Sequence, residues 1–567
     1  MRSGLVVTAL CTPIGCSQGA PDPTPSSSVA DPTGAGGEDT SAGDSTPSET
    51  TVPGGAVDPA PVVGCEGARR PARRSPSASE VCEAAEAGRC WYVSPEGSDT
   101  DPGTFSQPFA TPQAAVRLAG PGDVIYLRGG VYDDTHAHPY RATSWNEPDE
   151  GVERGFITIG TLSFPAWAEL EGYSVASGTA AAPIRVRSLP GERACASGAG
   201  SIHVGSLTQE TAHWRFEDLT LHRGAVLLSG GSAQGTKAVN QTHDIEIRHI
   251  EVYEYAAEGA TNVGLIRINR GDWGGPYNVS IRSNILHDLI PIDGGETKTW
   301  DTTTDAQHYG AVTTLSCEVY VDPGCIGTGS ILIENNLVYH VPQAFFFKNP
   351  AAGPIEIRGN LFREIGGMGT WVSSNITFAH NLVMAEAPSL GGEGGEEEQE
   401  TFARNGHDLR MLNNTFVGVD RIAFLRVFAK GHTVRGNVIQ GLRAAATENT
   451  WDNVGYIGQG DSWIDPDAAT DFAQSHLVDN EFDDNCFVPE TPDFTAYGRR
   501  YDPGSGTVVQ QIDLEGARAE LGHELSSDVA TVAEVFTDFA HGDYRVREGV
   551  CGGRGATLAP WAVSEPE

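Results

Sequence analysis

Only four side chains in this sequence are lysines, Lys237, Lys298, Lys348 and Lys430, against 37 basic residues in all. An arginine keeps its charge at ordinary pH, whereas a lysine whose pKa is depressed by burial or a nearby cation can accept a proton. Lys348 closes the apolar run Ala344-Phe345-Phe346-Phe347, where it reads either as a base or as the snorkelling end of a buried strand. Arg426 and Lys430 stand shortly before Asn437, and Arg267 and Arg270 before Asn284. Stacking of these segments would line one sheet with cations, spaced for a ligand bearing repeated carboxylates. Lys348, Arg426 and Lys430 are then the catalytic candidates, and Arg267 and Arg270 hold the ligand. A second group of side chains is acidic. Asp288, Asp293, Glu296, Asp301 and Asp305 crowd one insertion, HDLIPIDGGETKTWDTTTDAQHYGAV, and oxygen donors of this kind suit Ca²⁺. His308 lies in the same stretch, with Trp300 and Tyr309 as rings that could stack on a sugar.

A recurring phrase positions these residues. It reads WRFEDLTLHR (214–223), IEIRHIEVYE (245–254), VSIRSNILHD (279–288), ILIENNLVYH (331–340), IEIRGNLFRE (355–364), ITFAHNLVMA (376–385), LRMLNNTFVG (409–418) and HTVRGNVIQG (432–441). Its first half alternates apolar and polar residues, the period of a strand with one buried face. Asn284, Asn336, Asn360, Asn381, Asn414 and Asn437 occupy one position of the phrase. Asn tolerates a left-handed bend, and its amide can bond to the next Asn about 4.8 Å along a stack. A strand–turn–strand unit with a constant Asn predicts an all-β solenoid in which these Asn residues are structural. Thr111-Pro112 predicts the start of a short N-terminal capping helix, with Ala115, Leu118 and Ala119 on its apolar side. Helix is expected again over Asp513–Glu524, followed by a last strand and turn in FTDFAHGDYRVREG.

The chain has 567 residues, and 37 basic against 75 acidic side chains give a net charge of −38. A field of that sign argues against nucleic acid as a partner. Gly is frequent, at 69 residues, yet without the Gly-X-Y period of collagen. Residues 1–16 read as an export signal, with Arg2 before an apolar run from Leu5 to Ile14. Ile14-Gly15-Cys16 resembles the end of a bacterial lipoprotein cleavage box, which would lipidate Cys16 and make that lipid the one link to a membrane; free secretion is the alternative. Residues 17–80 are a low-complexity tether expected to be disordered, and 81–560 are the solenoid domain, expected to be monomeric. The sequence has no Cys-x-x-Cys pair, and an even cysteine count in an exported chain favours disulfides. Cys82–Cys90 and Cys317–Cys325 are expected local staples, while Cys65, Cys195, Cys486 and Cys551 cannot be paired from sequence.

Several phrases occur in an order that resembles secreted right-handed parallel β-helix proteins. They are Tyr92-Val93-Ser94-Pro95, Gly97-Ser98-Asp99, Gly103-Thr104, Pro108-Phe109-Ala110-Thr111, the run Pro121 to Arg128, Gly130-Val131-Tyr132, Ala182 to Arg187 and the closing FTDFAHGDYRV. That group includes pectate lyases of polysaccharide lyase family nine, alginate and chondroitin lyases, and proteins of unknown activity. The resemblance implies β-elimination on a uronate polymer, with Ca²⁺ neutralising the carboxylate and Lys or Arg removing the adjacent proton. The family-nine calcium cluster has no counterpart on a coil here, since Asp133-Asp134 opens the domain and Asp483-Asp484 lies near its exit. The expected protein is an exported β-helix acting on acidic polysaccharide by Ca²⁺-assisted elimination. A non-catalytic glycan-binding surface protein is the first alternative, and a glycosidase using two carboxylates of the insertion is the second.

Overall fold

The computed structural model describes residues 65, 68, 82–84, 88–141, 152–160, 176–205, 210–229, 242–257, 263–269, 275–293, 296–300, 309–315, 330–348, 354–371, 375–384, 389–390, 408–419, 422–425, 431–442, 457–461, 480–501 and 508–557. The alternating phrases form the strands expected of them. Ile184–Ser188 buries every second residue, and Ile355–Arg358 alternates buried and exposed side chains. Strands that bury only one face stack on their neighbours, and three long sheets of 12, 12 and 13 strands result. The first sheet runs from Cys90–Val93 to Glu481–Asp483, the second from Gly130–Tyr132 to Asp528–Val529. The third holds strands such as Val226–Ser229, Val263–Asn269, Tyr309–Leu315 and Phe345–Lys348. Each coil visits the three sheets in turn, and successive coils pair in parallel: this is a right-handed parallel β-helix.

The core runs along the axis as columns of like residues. One column of register partners is Val186, Phe216, Ile247, Ile281, Ile333, Ile357, Phe378, Met411, Val434 and Phe482, all buried. The turn from the first sheet to the second takes two residues. One has positive φ (Ser283 53°, Asn335 56°, Gly359 65°, His380 56°, Asn413 52°, Gly436 68°, Asp484 56°) and the next is the repeated Asn. Gly359 and Gly436 meet that demand without a Cβ. From Asn336 onward each Asn Oδ1 accepts the backbone N–H and the Nδ2 of the Asn one coil earlier, as Asn360 does from Asn336 at 2.8 and 2.9 Å, while Asn284 Oδ1 accepts from Ile250 N. Each Nδ2 also donates to a carbonyl of the preceding coil, Asn360 to Ile333 O at 3.0 Å. The column is longer than the phrase predicted, because Asn485 continues it beyond Asn437.

The helix Pro112–Val116 has Thr111 as N-cap and buries Ala115, with Ala119 buried after it. Leu118 departs from expectation. It is 56 % exposed, because the helix ends after barely more than one turn and Val116 takes the inward position instead. At the far end Leu514–Gly516 and Ala517–Leu521 are helical, as expected. The expected last strand is a hairpin, Phe536–Asp538 against Asp543–Val546. Cys82 pairs with Cys90 as expected. The cysteines that sequence left open pair as Cys65–Cys195 and Cys486–Cys551, with Cα–Cα distances of 6.4 and 5.8 Å. Cys65 falls within the stretch expected to be tether, yet it is buried and bonded to the second sheet. Among the described residues no helix is long and apolar enough to cross a membrane.

Candidate functional site

Arg267 and Lys348 both belong to the third sheet. Arg267 pairs with Leu227 on one side and Thr313 on the other, and Thr313 pairs with Phe346 in turn. Lys348 ends its strand opposite Leu315, two register positions beyond Phe346. The two residues are thus two strands apart, roughly 10 Å across the sheet at about 4.8 Å per strand, and two residues apart along it, roughly 7 Å. The row of Arg267 also includes His203, which pairs with Leu227. His203 is buried, and burial, reinforced by the Arg267 charge, lowers its pKa to about 3. From Thr211–Glu217 onward the turn between the first and second sheets takes two residues, and the longer connections join the other sheets.

A denser network occupies the end of the second sheet. The ninth position of the repeated phrase stacks as His222, Tyr253, His287 and Tyr339, with ring centroids 4.8, 5.0 and 4.6 Å apart. The guanidinium of Arg363 lies over the last ring at 5.7 Å. The tenth position adds Arg223, Glu254, Asp288, His340 and Glu364, all with positive φ. The backbone thus turns here and the charges gather at one corner. His287 lies between Asp288 (2.6 Å from Nδ1) and buried Glu251 (3.2 Å from Nε2). Burial works to depress the His287 pKa, but the hydrogen bonds to both carboxylates outweigh it and raise it. Asp288 reaches the next coil too, where its Oδ1 is 2.9 Å from His340 Nδ1. Burial would raise the Asp288 pKa, yet hydrogen bonds to His287 and His340 hold it below the usual range. His340 Nε2 is 3.1 Å from Glu364, and Trp300 lies flat on the His340 ring at 5.7 Å. The insertion therefore folds onto this corner.

Of the residues singled out in the sequence, Asp288 and Trp300 meet around His340, and Arg267 and Lys348 share a sheet. Tyr309 does not serve as a platform. It is buried and its hydroxyl donates to Ile292 O at 2.9 Å, which closes the base of the insertion. Asp293 and Glu296 are register partners in a short antiparallel pair. Arg270, Asp301, Asp305, His308, Arg426, Lys430, Cys317, Cys325 and Cys16 lie outside the described residues. Many of the other arginines are spoken for on the first sheet. Arg185, Arg187 and Arg248 surround buried Glu217, while Arg282 and Arg358 flank Glu334. The sequence reading missed the stacked His/Tyr column, although it is visible once the copies are aligned: His, Tyr, His, Tyr and Arg fill the ninth position in five successive phrases.

Fold and site together define a parallel β-helix whose third sheet carries Arg267 and Lys348 and whose second sheet ends in an aromatic, histidine-rich corner. No family model matches the chain. A stretch of 44 residues is 52 % identical to pectate lyase PEL9 of Emericella nidulans, covering 8 % of this chain and 11 % of that protein. Among solved structures, XylC in complex with xylose covers 74 % of this chain and 89 % of its own at 11 % identity, with a TM-score of 0.36. A rhamnogalacturonan lyase covers 84 % and 97 % at 13 % identity and 0.32, and pectate lyase Pel9A covers 68 % and 83 % at 13 % and 0.32. At these identities and scores the overlaps carry no inference about activity.

Proposed function

We propose that this is an exported enzyme that cleaves acidic, uronate-containing polysaccharide by β-elimination on the face of the third sheet. One observation carries the reading: Arg267 and Lys348 share a sheet whose buried surroundings already hold His203 neutral at a pKa of about 3. A base must be neutral to accept a proton, and we assign that role to Lys348, the lysine of this sheet. The proton on the carbon beside the uronate carboxylate passes to Lys348 Nζ. The electron pair left behind becomes a carbon–carbon double bond, and the glycosidic C–O bond at the neighbouring carbon breaks with its electron pair leaving on the oxygen, which takes a proton from water. Arg267 pairs with a carboxylate of the polymer. The stacked pair Trp300 and His340 offers a flat surface for a sugar ring. Ca²⁺, when bound, would supply charge neutralisation of the uronate carboxylate. Asp293 and Glu296, register partners in the insertion, are the carboxylates we assign to such an ion. The leader and the disulfides support export, either lipid-anchored through Cys16 or free.

A screen of uronate polymers tests the proposal. The expected result is an unsaturated product absorbing in the near ultraviolet, formed with one polymer class and abolished by chelator. New reducing ends without that absorbance would mean hydrolysis and contradict elimination. Retention on an immobilised polymer with neither product would favour the second reading, a non-catalytic glycan binder, for which the Trp300–His340 surface is the supporting feature.

A further inference from the structure

A cluster on the first sheet, independent of the proposed elimination, has metal-ligand chemistry. His213 lies in the strand Thr211–Glu217, and His243 and Asp244 lie in the next strand of that sheet, Thr242–Arg248. One ligand atom from each of the three lies within 4.8 Å of the others. His243 Nδ1 is 2.6 Å from Asp244 Oδ2, and His213 Nε2 is 4.0 Å from that same oxygen. Donors of a tetrahedral zinc ion, with bonds of about 2.1 Å, stand roughly 3.4 Å apart, and these two distances bracket that value. The ligands are also held from behind. Glu210 Oε1 is 2.8 Å from His243 Nε2, the ring of Tyr277 stacks on His243 at 4.7 Å, and Asn278 Nδ2 is 3.5 Å from Asp244 Oδ1. A carboxylate on the far nitrogen of a ligating imidazole fixes its tautomer and orientation.

We propose that His213, His243 and Asp244 bind one divalent transition ion of the zinc type, with Glu210 as a positioning residue. Two imidazoles and one carboxylate disfavour Ca²⁺ and Mg²⁺, which take oxygen donors, and suit zinc or its open-shell neighbours. The ion would take the place of the direct contact between His243 Nδ1 and Asp244 Oδ2. The Nε2–H of His243 continues to donate to Glu210. Three protein donors leave a fourth position for water, and the ion would tie two successive coils together.

The test is calorimetric titration of metal-free full-length protein with zinc chloride, in two buffers of different ionisation enthalpy. Cobalt(II) absorption provides a parallel spectroscopic readout. Wild type should take up one equivalent and show visible cobalt bands. His213→Asn and Asp244→Asn keep residues that tolerate positive φ, and each should weaken zinc binding about tenfold or more and abolish the bands. Glu210→Gln, on a side chain that is 66 % exposed, should weaken binding about tenfold without loss of folding. His541→Ala, at an exposed histidine beside Asp538, should bind as wild type does. Absence of saturable uptake, or wild-type affinity in both His213→Asn and Asp244→Asn, would overturn the assignment. Elimination activity can be present or absent in any of these outcomes, so failure here is distinct from failure of the proposed function.

Discussion

Glu524 shows how far burial moves a single group. Its carboxyl is enclosed at the end of the Asn column, where Asn485 Nδ2 donates to it at 3.1 Å and Ser527 Oγ also donates. Burial raises its pKa to about 8, with the Ser527 hydrogen bond pulling the other way. In the unfolded chain such a carboxyl titrates near about 4.3. The folded state therefore prefers the protonated form. Its contribution to stability is full below the unfolded pKa and is lost as pH rises toward 8, at about 1.4 kcal/mol per unit. Glu524→Gln keeps the shape and the neutral form, so denaturant unfolding between pH 5 and pH 9 should show a flatter loss of stability in the variant. Equal slopes in variant and wild type would contradict this account of Glu524. The Asp288–His287 pair behaves differently, because its stabilisation needs both charges. It weakens as pH falls through the lowered Asp288 pKa or rises through the raised His287 pKa. At this scale the sequence is partly legible: Asp288 and Trp300 stand out by their types, whereas the histidines they meet lie in the repeat and carry no local motif.

Between neighbouring coils, the Asn column is the device that fixes register. Asn360 accepts two hydrogen bonds from Asn336 and donates to Ile333 O and to Asn381, with all of these groups buried. Asn360→Ala leaves several buried donors and acceptors unpaired, at roughly 1–3 kcal/mol for each orphaned group. Thermal unfolding should fall steeply, and a change within about 0.5 kcal/mol, the range of an ordinary surface substitution, would contradict a structural role for the column. The column was legible because the same amide recurs at one place in an alternating phrase. Asn485 was missed, although its copy NEFDDNCFVP departs from the phrase at its first residue no more than HTVRGNVIQG does. Asn480 stays in the stack all the same, and its Oδ1 accepts the His432 backbone N–H at 2.8 Å. Asp483 and Asp484, which resemble half of a calcium motif, are taken up by the closing segment instead. Asp483 accepts from Ser526 N, and Asp484 pairs with Arg554. Leu118 illustrates a different limit, since apolar spacing predicts a face but not where a short helix stops.

Over the whole molecule, the solenoid separates its charges by sheet. Among the described residues, the first sheet spends its arginines on Glu217, Glu246, Glu334 and Glu481, so these side chains brace coils and leave little free cation on that face. With a net charge of −38, a polyanion approaches against the average field, and its binding needs local cations and a bridging ion. The third sheet, with Arg267, Lys348 and the long connections beside it, is where those requirements meet. The direct test of this account is the rate of unsaturated-product formation by Lys348→Ala, measured on the uronate polymer that the wild type cleaves. Loss of the general base should lower the rate about 10²- to 10⁴-fold while retention on the immobilised polymer persists. A Lys348→Ala protein that forms unsaturated product at the wild-type rate would contradict the assignment of the base and of the third sheet as the catalytic face.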